Sequence, residues 1–199
     1  MLWWFKARRI APVLLPSMVL FALLVLVMND GSVELPALLT GGNNSVVLTL
    51  LPPLLITSGL LLCLTSRLLE GEVAGWRPVA RYDALLITAV IILSVAIGAA
   101  VGWLSGSETA WGVGRNTAYL TGLMLLAYAV VPPAAVMLPI GCIFTVVFLG
   151  YDRYHRPYPW TILPEPATHV SAALASAAVF TIGLAAFVAT RRNATVRGT

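Results

Sequence analysis

Residues 119–150 read YLTGLMLLAYAVVPPAAVMLPIGCIFTVVFLG, a run of 32 without one charged side chain. A single straight helix of that length would extend about 48 Å, against a bilayer hydrocarbon core of about 30 Å. Pro132 and Pro133 stand in its middle, and Pro139 follows. Adjacent prolines remove two backbone donors and push the preceding residue out of the helical region. The run therefore reads as two helices, 119–132 and 135–150, meeting at a tight turn. Each is short, which suits a shallow or partly re-entrant hairpin. The split makes the number of membrane crossings six rather than five.

Outward from this hairpin, four more stretches carry no charge: Ile10–Met28, Val46–Ser66, Ala84–Leu104 and Val170–Thr190. Runs of about 18 or more such residues cross a bilayer as helices. Hydrophobic residues make up 59% of the 199 and charged residues 10%, where a soluble domain carries about 25% charged residues. The expected fold is an all-α polytopic membrane protein, a single domain over 1–199. Its six transmembrane helices fall at about 10–28, 46–66, 84–104, 119–132, 135–150 and 170–190. Residues 29–45, 105–118 and 151–169 form the outer loops. Asp30, Glu34, Gly41 and Gly42 make the first of these polar and flexible.

Orientation follows from the basic residues. Six crossings with the N-terminus inside put nine of them in the cytoplasm: Lys6, Arg8, Arg9, Arg67, Arg77, Arg81, Arg191, Arg192 and Arg197. Three, Arg115, Arg153 and Arg156, fall outside. Five crossings give eight against four, so the positive-inside rule agrees with the prolines. Both termini are then cytoplasmic, and the chain is expected in a bacterial cytoplasmic membrane. The net charge of +4 comes from small clusters at span ends and implies no nucleic acid. Cys63 and Cys142 sit in apolar runs and read as buried thiols. The start, MLWWFKARR, reads as a retained interfacial segment rather than a cleaved leader.

Four places are candidates for function. The inside segment RLLEGEVAGWRPVARYD (67–83) alternates charge sign and places Leu68, Leu69, Val73 and Trp76 at helical spacing. Such a short amphipathic helix either lies on the membrane or docks into a cytoplasmic partner. MLWWFKARR is open to the same two readings. The outer segment YDRYHRPYPWTILPEPATH (151–169) carries Asp152, His155, Glu165 and His169, but in no metal-ligand spacing, and four prolines hold much of it extended. It reads as a packed lid over an outer mouth, with no metal. Within the spans, Pro12 and Pro16 kink the first helix and Pro52 and Pro53 break or bend the second. Thr57, Ser58 and Gly59 follow a turn later, as small residues serving either packing or a pathway.

Absences narrow the function further. No span as drawn contains an ionisable side chain, which disfavours self-powered secondary transport. A G-x-S-x-G nucleophile is missing, and the sole lysine, Lys6, has no glycine before it, so no phosphate-binding loop exists. The chain is expected to be no enzyme.

The layout resembles the permease subunits of type-2 ATP-binding-cassette exporters, especially compact actinobacterial ones. The resemblance rests on order across nearly the whole chain. MLWWFKARR is similar to an interfacial connecting helix, and RLLEGEVAGWRPVARYD to a cytoplasmic coupling loop. A close fourth–fifth hairpin and the outer segment RPYPWTILP precede a last span ending in TRRN. The resemblance implies a permease paired with a second, identical or homologous, permease subunit. Separate cytoplasmic ATPase subunits would hold the ATP and Mg, with none bound by this chain. Glu70, Glu72, Trp76, Arg77 and Arg81 would contact the ATPase, with Trp76 as the apolar anchor. Thr57, Ser58 and Thr145 would line a pathway for a hydrophobic or amphiphilic cargo such as a drug, lipid or peptide natural product. The alternative is a membrane scaffold or immunity protein that sequesters a lipid or peptide and needs no ATPase. An integral-membrane enzyme would need a polar cluster at one bilayer depth.

Overall fold

A computed structural model describes residues 10–29, 31–36, 43–66, 79–152, 156–158 and 160–197. The described residues open with a π-helical turn, Ile10–Leu14, that runs into α1 (Leu15–Val27). Pro12 and Pro16 cannot donate to the helical ladder, and the wider turn falls where those donors are missing. Two short antiparallel strands follow, β1 (Ser32–Pro36) and β2 (Asn43–Val47), in a register that sets Ser32 opposite Val47 and Pro36 opposite Asn43. The first outer loop is thus partly ordered as a hairpin, where the sequence suggested only a flexible connection. Edge position explains how Pro36 is tolerated, since it owes no further ladder bond.

A 3-10 turn, Leu48–Leu50, leads into α2 (Pro52–Thr65). Pro52 and Pro53, expected to break or bend the second span, stand where its 3-10 turn gives way to α-helix, at the first helical positions, where a missing N–H costs nothing. The long α3 (Val79–Ser105) then turns back through Gly106, whose φ of +70° suits glycine, into α4 (Glu108–Val130), capped by Ser107. This corrects the fourth span. The helix begins at Glu108, not near 119, so Arg115 stands within it and not in an outer loop. Its 23 residues extend about 34 Å, enough to cross a bilayer. Pro132–Ala134 form the expected tight turn into α5 (Met137–Leu149), and α6 (Val170–Arg197) closes the chain.

Four helical stretches among the described residues are long and apolar enough to cross a membrane: Leu48–Thr65, Ala80–Ser105, Pro132–Leu149 and Val170–Arg191. Ala11–Val27 is apolar but shorter. Helix α4 falls outside this group because it carries Glu108, Arg115, Asn116 and several threonines and glycines. Its position explains the composition. It packs against α2, α3, α5 and α6, so its sides meet protein rather than lipid. Leu120, Met124, Leu125 and Val113 are fully buried along it. The apolar side chains left exposed belong mainly to the peripheral helices, such as Leu23 on α1, Ile92 on α3, Phe144 on α5 and Ile182 on α6.

Glycines let α4 approach its neighbours closely. A Cβ at Gly122 would lie 2.7 Å from the Val179 carbonyl of α6, and one at Gly183 would strike the Gly122 carbonyl. On the other side, a Cβ at Gly98 of α3 would meet the Ala110 carbonyl at 2.9 Å. Small residues at such crossings trade side-chain volume for backbone proximity, the usual means of helix association in lipid. The core divides accordingly. One cluster joins Phe21, Ile56, Leu60, Ile87, Met124 and Phe187, and a second gathers Leu50, Leu120, Ile143, Val146 and Leu163 toward the outer end.

Candidate functional site

At one end of the bundle, the end expected to face outward, residues 160–169 fold back over the start of α4. Arg115, about two turns from the start of its helix, holds them down. Its Nη2 donates to the carbonyls of Glu165 at 2.7 Å and Ile162 at 3.2 Å, and Nη1 donates to the Pro166 carbonyl at 3.0 Å. The amide of Asn116, almost wholly buried, donates to the Leu163 carbonyl at 3.0 Å and accepts from the Arg115 guanidinium. Proline explains why a side chain must do this. The backbone of PYPWTILPEP lacks four N–H donors and cannot close a regular ladder, so its carbonyls look elsewhere. Leu163, 2% exposed, inserts into the outer core. The expected lid is therefore a packed element, held on α4.

Beneath it lies a cavity of about 190 Å³. Thr49 and Leu50 contribute from the 3-10 turn before α2, Glu108, Gly112 and Arg115 from α4, and Tyr151 and Glu165 from the segment after α5. Tyr151 is 8% exposed, and burial pushes its phenol above the ordinary value. Glu165 stands 3.6 Å from the ring of His169, whose Nδ1 is 3.1 Å from the Ser171 hydroxyl. Among the described residues no three His, Cys, Asp or Glu side chains gather as metal ligands. His155 lies outside the described residues.

The opposite end of the bundle, expected to face inward, carries a second polar cluster. Arg191 of α6 sits over the rings of Tyr128 and Phe187, 5.4 and 4.9 Å from their centroids. It donates to the Tyr128 hydroxyl at 3.1 Å and to the Leu64 carbonyl at 3.4 Å. One guanidinium thus ties the inner ends of α2, α4 and α6. Asp83 is fully buried in the first turns of α3. The drawn spans held no ionisable group because they stopped one residue short of it, and the structural helices take in Asp83, Arg115 and Arg191. No local pattern marks Asp83 as buried. Its only sequence signal is its place at the very edge of an apolar run.

The residues proposed to contact an ATPase fall largely elsewhere. Glu70, Glu72, Trp76 and Arg77 lie outside the described residues, and Arg81 is exposed in the first turn of α3. Thr57 is fully buried and donates to the Leu54 carbonyl at 3.0 Å, while Ser58 is half-buried. Thr145 is exposed on α5 and donates to the Gly141 carbonyl at 2.8 Å. None of the three lines the outer cavity. Cys63 and Cys142 form no disulfide among the described residues, the first being buried and the second half-buried. The chain matches no protein-family model, no curated protein and no solved structure.

Proposed function

We propose that the chain is the membrane-spanning permease subunit of an ATP-driven exporter of the ATP-binding-cassette type, working with separate ATPase subunits and a second permease. It would cross the membrane six times. The observation that carries the reading is the order of elements in one bundle. A segment rich in alternating charge (67–83) joins α2 to α3, a proline turn joins α4 to α5, and a proline-rich outer lid precedes α6. Arg191 supports it, because it links the ends of α2, α4 and α6 beside Thr65, where α2 ends. A push on the end of α2 would reach three helices together. The scarcity of polar groups in the spans suits a hydrophobic or amphiphilic cargo.

The test is affinity purification of the tagged protein in mild detergent from its native membrane. A stoichiometric ATPase subunit that is lost on Trp76→Ala with Arg77→Glu is the expected result. A protein that emerges alone, in a preparation without nucleotide hydrolysis, would overturn the proposal in favour of a scaffold or sequestering role.

A further inference from the structure

We infer that the lid after α5 is held from two sides: by the bundle, and by the phospholipid headgroup layer, into which its Tyr158–Trp160 pair projects. The two rings stack, their centroids 6.5 Å apart and their planes 13° from parallel, yet Trp160 is 52% exposed and Tyr158 is exposed beside it. Leu163, three residues on, is buried in the core. One short segment thus presents an apolar anchor to protein and a pair of amphipathic rings away from it. Indole and phenol rings combine an apolar body with a polar tip, and they concentrate where hydrocarbon meets water.

The level of the rings supports this partner. Trp111 lies against Gly102, where an added Cβ would strike its indole, and so stands beside the exposed Trp103 and Leu104 at the end of α3. Arg115 follows Trp111 by about 6 Å along α4. It holds the carbonyls of residues 162–166, which begin two residues after Trp160. The four exposed rings therefore share a layer one or two helical turns thick. On one side of that layer the exposed side chains are hydrocarbon, Ile92 and Val95 on α3 and Phe144 on α5, in helices long and apolar enough to cross a membrane. On the other side α4 begins with the exposed Glu108. Hydrocarbon, then rings, then charge is the order of a bilayer surface. Trp103 and Leu104 continue the exposed apolar surface of α3, so the layer belongs to lipid and not to an isolated patch. The inference does not rest on the chain being a permease.

Fluorescence of the full chain in phosphatidylcholine nanodiscs tests it. Trp160→Phe, a change at an exposed ring, isolates the Trp160 emission by difference from the wild type. Lipid brominated next to the headgroup is expected to quench that emission about twofold more than lipid brominated at the chain ends, with aqueous acrylamide only weakly effective. Strong acrylamide quenching without bromine quenching would put the ring in water. Insensitivity to both would put it under protein, a second copy of the chain included. Stronger quenching from the chain ends would put it in the hydrocarbon. Each of these three overturns the inference. Limited proteolysis gives a readout without a difference spectrum. Cleavage between residues 156 and 169 should be about threefold slower in nanodiscs than in a lipid-free amphipathic polymer. Tyr158→Ser with Trp160→Ser should abolish that difference. Equal rates for the wild type, or a difference that survives in the variant, overturns the inference.

Discussion

Two arginines fasten the two ends of this bundle, each by a different chemistry. Arg115 spreads its planar fork over carbonyls from Ile162 to Pro166, and a compact ammonium cannot span that set. Arg115→Ala is expected to cost about 1.5–3 kcal/mol, the range for hydrogen bonds to charged groups, with Arg115→Lys restoring only part. Thermal unfolding in detergent reads both, and faster protease cleavage between residues 156 and 169 would place the loss in the lid. Arg191 works by stacking on Phe187 and Tyr128, an arrangement worth about 0.5–2 kcal/mol. In Arg191→Gln, amide hydrogen exchange should rise in the last turn of α2, where the hydrogen bond from Arg191 to the Leu64 carbonyl is lost. Unchanged exchange there would show that the knot does not tie α2. Neither role was legible in the sequence. Arg115 looks like any outer-loop charge until its carbonyl partners, some 50 residues later, are folded onto it.

At the scale of elements, the apolar runs told where helices lie but not where they end. Helix α4 shows why. Absence of charge is a good guide only for a helix that faces lipid, and α4 faces other helices. Glu108, Arg115 and Asn116 hid its first three turns. The proline pair at 132 was read correctly as a turn, because its effect is local and steric. Pro52 and Pro53 do interrupt the second span, and there the same chemistry also starts α2. The α4–α6 crossing gives a direct test. Gly122→Ala drives a methyl into the α6 backbone and should destabilise by about 1–3 kcal/mol, the usual range for overpacking. Gly141→Ala on α5, where a Cβ meets nothing within 4 Å, should be neutral or slightly stabilising. Equal melting temperatures for the two would show that α4 and α6 do not cross at glycine.

For the whole molecule, an even number of crossings is the central commitment. A cysteine replacing Trp160, in a background with Cys63→Ala and Cys142→Ala, should react with an impermeant maleimide on intact cells. One replacing Thr199 should react only after lysis. Five crossings would reverse both results. The order of synthesis adds a consequence of α4's enclosed position. Two residues, Gly106 and Ser107, link α3 to α4, so α4 leaves the ribosome already beside one neighbour. At Gly122 the nearest atoms belong to α6, which is made after α4 and α5. Until α6 arrives, that strip of glycine and threonine on α4 stays open. The α4–α6 crossing therefore forms late, and a nascent chain that stops before Val170 exposes a helix face that the folded protein covers.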